Sequence, residues 1–176
     1  MLTAVAIAFK VIAGELVRMI TGPLGIPGGA LVGGFYMLWL PLGVALINKK
    51  GVALIITLVQ SIVLLITGLP GSHGIWTFFT YMIPGLAVEI VMLVKKTDKF
   101  SLLHFLLSVI LANAIGTFGT NLVFFRLSFL PLMFTLTAAA FSGIVGGLIG
   151  CFTFIRVNNS QLFGKEKEID FTNEQD

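Results

Sequence analysis

Apolar residues fill six stretches of the chain, each about as long as a helix that crosses a lipid bilayer. The stretches run over residues 2–20, 29–48, 52–68, 75–94, 102–125 and 129–155. A spanning helix needs about 20 predominantly apolar residues, and lipid cannot satisfy the backbone groups at the edges of an open sheet. The pattern therefore predicts an all-α membrane protein, a six-transmembrane-helix bundle over residues 1–156 whose helices we number spans 1 to 6.

The composition supports this prediction and separates off the C-terminal end. Of the 176 residues, 57% are hydrophobic and 11% are charged, whereas soluble domains carry roughly 25% charged residues. Residues 157–176 have an excess of acidic side chains and few apolar ones. We expect them to form a flexible charged cytoplasmic tail, and nothing in them indicates nucleic-acid binding.

Basic residues concentrate in alternate connections between the spans. The connections between spans 2 and 3 and between spans 4 and 5, and the end of span 6, carry Lys49, Lys50, Lys95, Lys96, Lys99 and Arg156. The other connections have basic residues only near their edges, at Arg18 and Arg126. By the positive-inside rule, the chain is a multi-pass protein of the cell membrane with both termini in the cytoplasm.

Polar and aromatic residues within the spans recur at helical spacing, so several share one helix face. Polar groups inside a membrane are costly and normally face a bundle interior or a cavity. Together with a histidine between two loop glycines they predict an outward-opening pocket between spans 1, 2, 4 and 5. Its predicted ligand contacts are Glu15, Arg18, Tyr36, Trp39, His73, Trp76, Tyr81, Asn113, Thr117 and Asn121. The alternative is that these side chains only join helices or sit in an interfacial belt.

Two charges lie near the predicted bilayer midplane, Lys10 and Glu89. An ion pair between spans 1 and 4 would lower the cost of burying them, and contact with substrate is the other possibility. Cys151 sits in an apolar, glycine-rich run and is predicted to be a packing residue. We find no nucleophile with a base, no phosphate-binding loop and no set of metal ligands. The chain is therefore predicted to be no enzyme and to hold no metal or cofactor.

Several motifs give the sequence a family resemblance. They are the small residues Ala4 and Ala8 in span 1, the segment GIPGG before span 2, and a block from GVALIITLVQSIVLLITG through GSHG to YMIPGLAVEI. In these motifs the chain resembles the substrate-binding S components of energy-coupling factor (ECF) transporters, and most closely the hydroxymethylpyrimidine/thiamine-type family.

The resemblance implies a membrane subunit of an ABC-type importer that captures a vitamin or related micronutrient. Such a subunit docks on a transmembrane T component and two cytosolic ATPases, which use ATP. Ala4 and Ala8 would contact the T component, and the loop Gly25–Gly29 would cover the ligand, for which a flat heteroaromatic compound is favoured. The alternative function is a small ion-coupled secondary transporter that acts as a dimer, which would explain Lys10 and Glu89. Dependence of uptake on ATP would discriminate the two.

Overall fold

A computed structural model describes residues 2–21, 28–68, 74–94 and 100–173, except the side chains of Glu15, Arg18, Ile20 and residues 160–173. Within these ranges the chain is helical, with short connections. The helices are α1 (Leu2–Thr21), α2 (Gly28–Met37), α3 (Trp39–Ile47), α4 (Val52–Thr67), α5 (Trp76–Leu93), α6 (Leu102–Thr120), a π-helix (Asn121–Phe125) and α7 (Phe129–Asn173).

The second predicted span is divided at Leu38 into α2 and α3. Pro41 has no N–H to donate to the carbonyl of Met37, and a proline in this position distorts a helix. Helical hydrogen bonds persist on both sides of the interruption. The N–H of Leu38 donates to the carbonyl of Gly34 at 3.0 Å, and the N–H of Leu42 donates to the carbonyl of Leu38 at 3.2 Å. The two helices still form one continuous apolar segment, Gly28–Ile47.

Four helical segments of the described chain are long and apolar enough to cross a membrane: Gly28–Ile47, Trp76–Leu93, Leu102–Phe125 and Phe129–Asn159. Two shorter apolar helices, Leu2–Gly14 and Val52–Thr67, correspond to predicted spans 1 and 3. The prediction of an all-α membrane protein is thus confirmed, whereas the count of six spans stays a prediction. The backbone of the predicted tail is helical as far as Asn173, and its flexibility and location stay predictions too.

A hydrophobic core lies at one end of the bundle, where the C-terminal ends of some helices meet the N-terminal ends of others. It joins the last turns of α3 and α5 to the first turns of α4 and α6, through buried residues that include Val44, Val52, Met92 and Phe105. Cys151 is buried in the same cluster and packs there as predicted. The exposed side chains of Lys49, Lys50 and Arg156 follow these helix ends, while Lys95, Lys96 and Lys99 lie outside the described residues.

Glu89 lies at this same end and stabilises the start of α4. Its carboxylate accepts hydrogen bonds from the N–H of Gly51 and from the N–H of Ala53, the latter at 3.0 Å. The first N–H groups of a helix have no partner within the helix, and its dipole favours an anion there. The predicted ion pair between Lys10 and Glu89 is wrong, because the helix N-terminus takes the carboxylate and Lys10 lies against an aromatic ring instead.

Replacing Glu89 by glutamine should therefore destabilise the bundle. The amide keeps the size of the side chain but loses its charge and places an NH₂ group against backbone donors, which should cost about 1–3 kcal/mol. We expect a lower thermal unfolding midpoint for Glu89→Gln in detergent. Lys50→Gln, which changes an exposed charge in the neighbouring connection, is the control. Equal midpoints for the two variants would show that the carboxylate does not hold α4.

Small and polar residues bring α2, α6 and α7 close together. The N–H of Gly34 donates to Ser142 Oγ at 3.0 Å. Asn113 Nδ2 donates to the carbonyl of Ala30 at 3.2 Å and to that of Ala139 at 2.8 Å. Such contacts drive helix association where lipid removes the usual hydrophobic force. This tightly packed layer forms one side of the bundle, and α1, α4 and α5 complete the other.

Candidate functional site

A small cavity lies inside the bundle between α1, α2, α4 and α5. Its volume is about 30 Å³, enough for one or two water molecules. A lysine, a glutamine and two tyrosines line it beside apolar side chains, and these four come from four different helices. The lining residues are Ala6, Ile7, Lys10, Tyr36, Met37, Gln60, Leu64 and Tyr81.

Two aromatic rings hold the ammonium group of Lys10. Lys10 Nζ lies 4.0 Å from the centroid of the Tyr81 ring and 5.7 Å from that of the Tyr36 ring. A cation over an aromatic face gains about 0.5–2 kcal/mol, more where water is excluded. Phe9 supports the arrangement from α1, with its ring centroid 6.4 Å from that of Tyr36 in an edge-on contact. Aromatic rings of two other helices thus position the Lys10 ammonium in the cavity.

The hydroxyl group of Tyr81 is buried without a hydrogen-bond partner in the described part of the chain. The residue is 9% exposed and lies in the second turn of α5. Leaving a buried polar group unpaired costs about 1–3 kcal/mol, so such a group in a native protein calls for an explanation. The hydroxyl has almost no accessible surface although Tyr81 lines the cavity, so a ligand that pairs with it would have to separate the cavity walls.

Gln60 and Leu64 form the α4 wall, one helical turn apart. Gln60 is 8% exposed, and its amide can both donate and accept hydrogen bonds. Thr57, one turn earlier, instead donates its hydroxyl to the carbonyls of Ala53 and Leu54, each at 3.0 Å. Of these two polar residues of α4, Thr57 thus bonds to its own helix and Gln60 lines the cavity.

The comparisons with known proteins bear directly on this site. Residues 1–115, which include every residue that lines the cavity, match the family described as the permease component of the ABC-type cobalt transport system. The chain belongs to this family. It is accordingly a membrane component of an ECF-type importer. No curated protein and no solved structure matches the chain.

Two of the predicted ligand contacts of this permease component, Tyr36 and Tyr81, come together at the cavity. The contacts predicted on span 5, which is α6 and the π-helix, do not line the cavity. The wall predicted for span 5 is formed instead by α4, which is predicted span 3. Asn113 joins α2 to α7 as described above. Asn121 Oδ1 accepts the N–H of Leu127 at 2.9 Å and closes the π-helix, and Thr117 is buried away from the cavity. The structure therefore gives Asn113 a helix-joining contact and Asn121 a local contact with the connection after the π-helix, and their contact with a ligand stays a prediction.

Neither tryptophan of the permease component lines the cavity. Trp39 packs against the buried cluster of Leu38, Leu42 and Val109. Trp76 is half exposed at the start of α5, and its ring centroid lies 5.9 Å from that of Phe79. His73, residues 25–27 of the predicted covering loop, and the side chains of Glu15 and Arg18 lie outside the described residues, whereas Gly28 and Gly29 of that loop begin α2. Their predicted roles stay predictions.

Lys10 and Gln60 are the polar lining residues absent from the predicted set of ligand contacts. Both carry a signal, since they are polar residues within apolar spans, and for Lys10 the sequence allows both an ion pair with Glu89 and contact with substrate. The helix of Lys10, α1, has one side at the cavity and one exposed side. Ala6, one turn before Lys10, is 3% exposed at the cavity, whereas Ala4 and Ala8 are exposed on the outside of the bundle.

Among the described residues, no three His, Cys, Asp or Glu side chains come together in a way that could hold a metal ion. The nitrogen and oxygen atoms that face the cavity belong to an ammonium, two phenols and an amide. Such groups form directed hydrogen bonds with small organic molecules, and the tyrosine rings offer flat apolar surfaces. The arrangement resembles a ligand site in its mixture of apolar walls and a few placed polar groups.

Proposed function

We propose that this permease component is the substrate-capture S component of an ECF importer for a vitamin or related organic micronutrient, and that the ligand binds at the described cavity. The observation that carries the proposal is the buried hydroxyl of Tyr81, which has no hydrogen-bond partner in the described part of the chain, beside Tyr36, Gln60 and Lys10. Packing alone gives no reason to place these groups at one internal cavity. Membership of an importer family supplies the reason, since a capture subunit must hold its substrate within the membrane.

A flat heteroaromatic ligand, of the thiamine and hydroxymethylpyrimidine kind, suits the two tyrosine rings. Stacking on an aromatic ring is worth about 0.5–1.5 kcal/mol beyond the area it buries. The family description names cobalt, but the ammonium of Lys10 would repel a divalent cation at this cavity. The cavity is smaller than a heteroaromatic molecule. Binding therefore requires Lys10 to leave the ring of Tyr81 and the walls to separate.

The proposal includes six spans with both termini in the cytoplasm. The helix α1 (Leu2–Thr21) and the shorter α4 (Val52–Thr67) would also cross the bilayer, α4 with local thinning or tilt of its neighbours. The exposed Lys49, Lys50 and Arg156 would lie on the cytoplasmic side. The predicted loop Gly25–Gly29 and His73 would then cover the ligand from outside.

The energy for uptake would come from partner subunits. In this proposal the exposed face of α1 with Ala4 and Ala8 docks on a transmembrane T component, and two cytosolic ATPases hydrolyse ATP. The chain itself performs no chemical step and needs no cofactor. An ion-coupled carrier would instead draw its energy from an ion gradient.

Uptake by cells that carry the whole transporter separates these alternatives. We expect accumulation of the substrate, identified by mass spectrometry, to stop when the ATPase subunits carry a hydrolysis-blocking substitution. An ionophore that collapses the ion gradients at constant ATP should leave it unchanged. Uptake that survives the ATPase substitution and fails with the ionophore would overturn the proposal in favour of the carrier.

A further inference from the structure

We infer that the ligand carries an anionic group, a carboxylate or a phosphate, and that Lys10 receives this group. The inference rests on the proposed function and narrows its substrate class. It favours acidic heteroaromatic compounds over neutral ones and over thiamine itself, which carries a positive charge.

The cavity contains one basic side chain and, among the side chains that the structure describes, no acidic one. Lys10 lies half-buried in the middle of α1, and an ammonium inside the membrane is costly unless it has a counter-charge or a polar path. The described carboxylate of the bundle, that of Glu89, binds the N-terminus of α4. The aromatic rings of Tyr81 and Tyr36 offset only part of the cost. An anionic ligand group would supply a counter-charge to Lys10.

The groups around Lys10 are suited to an anion because they can all donate hydrogen bonds. Lysine offers three donors and no acceptor, and the phenols and the Gln60 amide add further donors. The Tyr81 hydroxyl has no partner in the described part of the chain. The Tyr36 hydroxyl lies beside Gly14, one turn along α1 from Lys10. Bonds from ionised or polar donors to a carboxylate or phosphate are short and strong.

The present contact between Lys10 and Tyr81 indicates how the ligand enters. The lysine ammonium covers the face of the Tyr81 ring, and its four-carbon stem is flexible. A bound heteroaromatic ring would take the place of the ammonium on Tyr81, and the displaced ammonium would bond to the anionic group of the same molecule. A single ligand would thus stack on the Tyr81 ring and pair with the Lys10 ammonium, which now contact each other.

Matched probes test the charge preference on the detergent-purified chain. The probes are pyrimidine-5-carboxylate, pyrimidin-5-ylmethyl phosphate, pyrimidine-5-carboxamide and 5-(aminomethyl)pyrimidine, which share one ring and differ in charge. We expect calorimetry to show that at least one anionic probe binds ten-fold or more tighter than the amide, with the amine weakest. If the carboxylate and phosphate differ, the tighter one identifies the anionic group.

Variants of Lys10 show whether this residue causes the preference. Lys10→Met keeps the length of the side chain and should reduce the anion preference to less than two-fold, whereas Lys10→Arg should retain it and the control Lys50→Met should not alter it. Because Lys10→Met removes a charge from the membrane, we expect it to fold, and its unfolding midpoint checks this. Lys10→Gln provides a second neutral variant.

Several results would overturn the inference. They are equal or tighter binding of the amide or the amine, an anion preference that survives in both Lys10→Met and Lys10→Gln, and no binding of any probe. Failure of the inference is distinguishable from failure of the proposed function. If the amide binds as tightly as the anions and Tyr81→Ala abolishes its binding, the cavity is the site and only the charge assignment is wrong. The dependence of uptake on ATP is measured independently.

Discussion

Replacing Ala8 by leucine is expected to abolish uptake and to leave ligand binding by the isolated chain unchanged. Ala8 is exposed on the outer face of α1, as is Ala4 one turn before it. Alanines at this spacing let a partner helix approach closely, and a leucine would hold that helix away by the size of its branched side chain. The cavity faces the opposite side of α1, so the ligand site should be unaffected.

Two neighbouring residues provide matched controls for Ala8→Leu. Val5 is 47% exposed, and Val5→Leu adds one methylene group on the same side of α1, so uptake should persist. Ala6 lines the cavity, and Ala6→Leu should abolish binding and, with it, uptake. Transport assays in cells and calorimetry on purified protein check both quantities. Normal uptake by Ala8→Leu, or its loss of binding while folded, would contradict the assignment of this face to the T component.

Replacing Gly34 by alanine should be the most destabilising methyl addition in the bundle. A Cβ atom at this position would overlap the backbone carbonyl of Ser142 on α7. Neither backbone can yield without separating α2 from α7, and Gly146 on α7 in turn packs against the carbonyl of Gly34. Overpacking costs about 1–3 kcal/mol and occasionally more. The hydrogen bond from the Gly34 N–H to Ser142 Oγ would weaken as well.

Gly119 on α6 provides the control for Gly34. No atom lies within 4 Å of a Cβ added there, and alanine favours a helix interior by up to about 1 kcal/mol over glycine. We expect Gly34→Ala to lower the unfolding midpoint strongly or to prevent purification of folded protein, and Gly119→Ala to leave the midpoint unchanged or raise it. Similar midpoints for the two variants would show that the approach of α2 to α7 is not tight.

The positions of the helices could be predicted from the sequence because lipid requires long apolar segments with satisfied backbones. The predicted segments and the helices agree within a few residues, except that α7 continues to Asn173, well beyond the predicted end of span 6 at residue 155. The interruption at Leu38 was not predicted, although Pro41 three residues later carried the signal. The structural role of Glu89 was also missed. Its partners are backbone N–H groups of another helix, and backbone groups give no signal in a sequence pattern.

The candidate site could be predicted only in part. A helical stripe of polar residues indicates which face of a helix is buried, but it does not indicate which other helix or ligand that face contacts. The stripes of spans 2 and 4 led to Tyr36 and Tyr81, which line the cavity. The stripe of span 5 has the same spacing, but Asn113 uses its amide to bond two other helices. Polar groups that join helices and polar groups that bind a ligand both face the interior of the bundle, so they give the same sequence pattern. Only the arrangement of the helices separates them.

The small molecules that remain bound to the purified chain test the central claim most directly. They can be quantified by mass spectrometry after denaturation of the wild type, Ala6→Leu and Val5→Leu. Leucine at position 6 would fill the cavity of about 30 Å³, whereas leucine at position 5 lies outside it. We predict that one heteroaromatic compound accompanies the wild type and Val5→Leu in comparable amounts and is absent from folded Ala6→Leu. Equal amounts in all three proteins would contradict the placement of the ligand in this cavity.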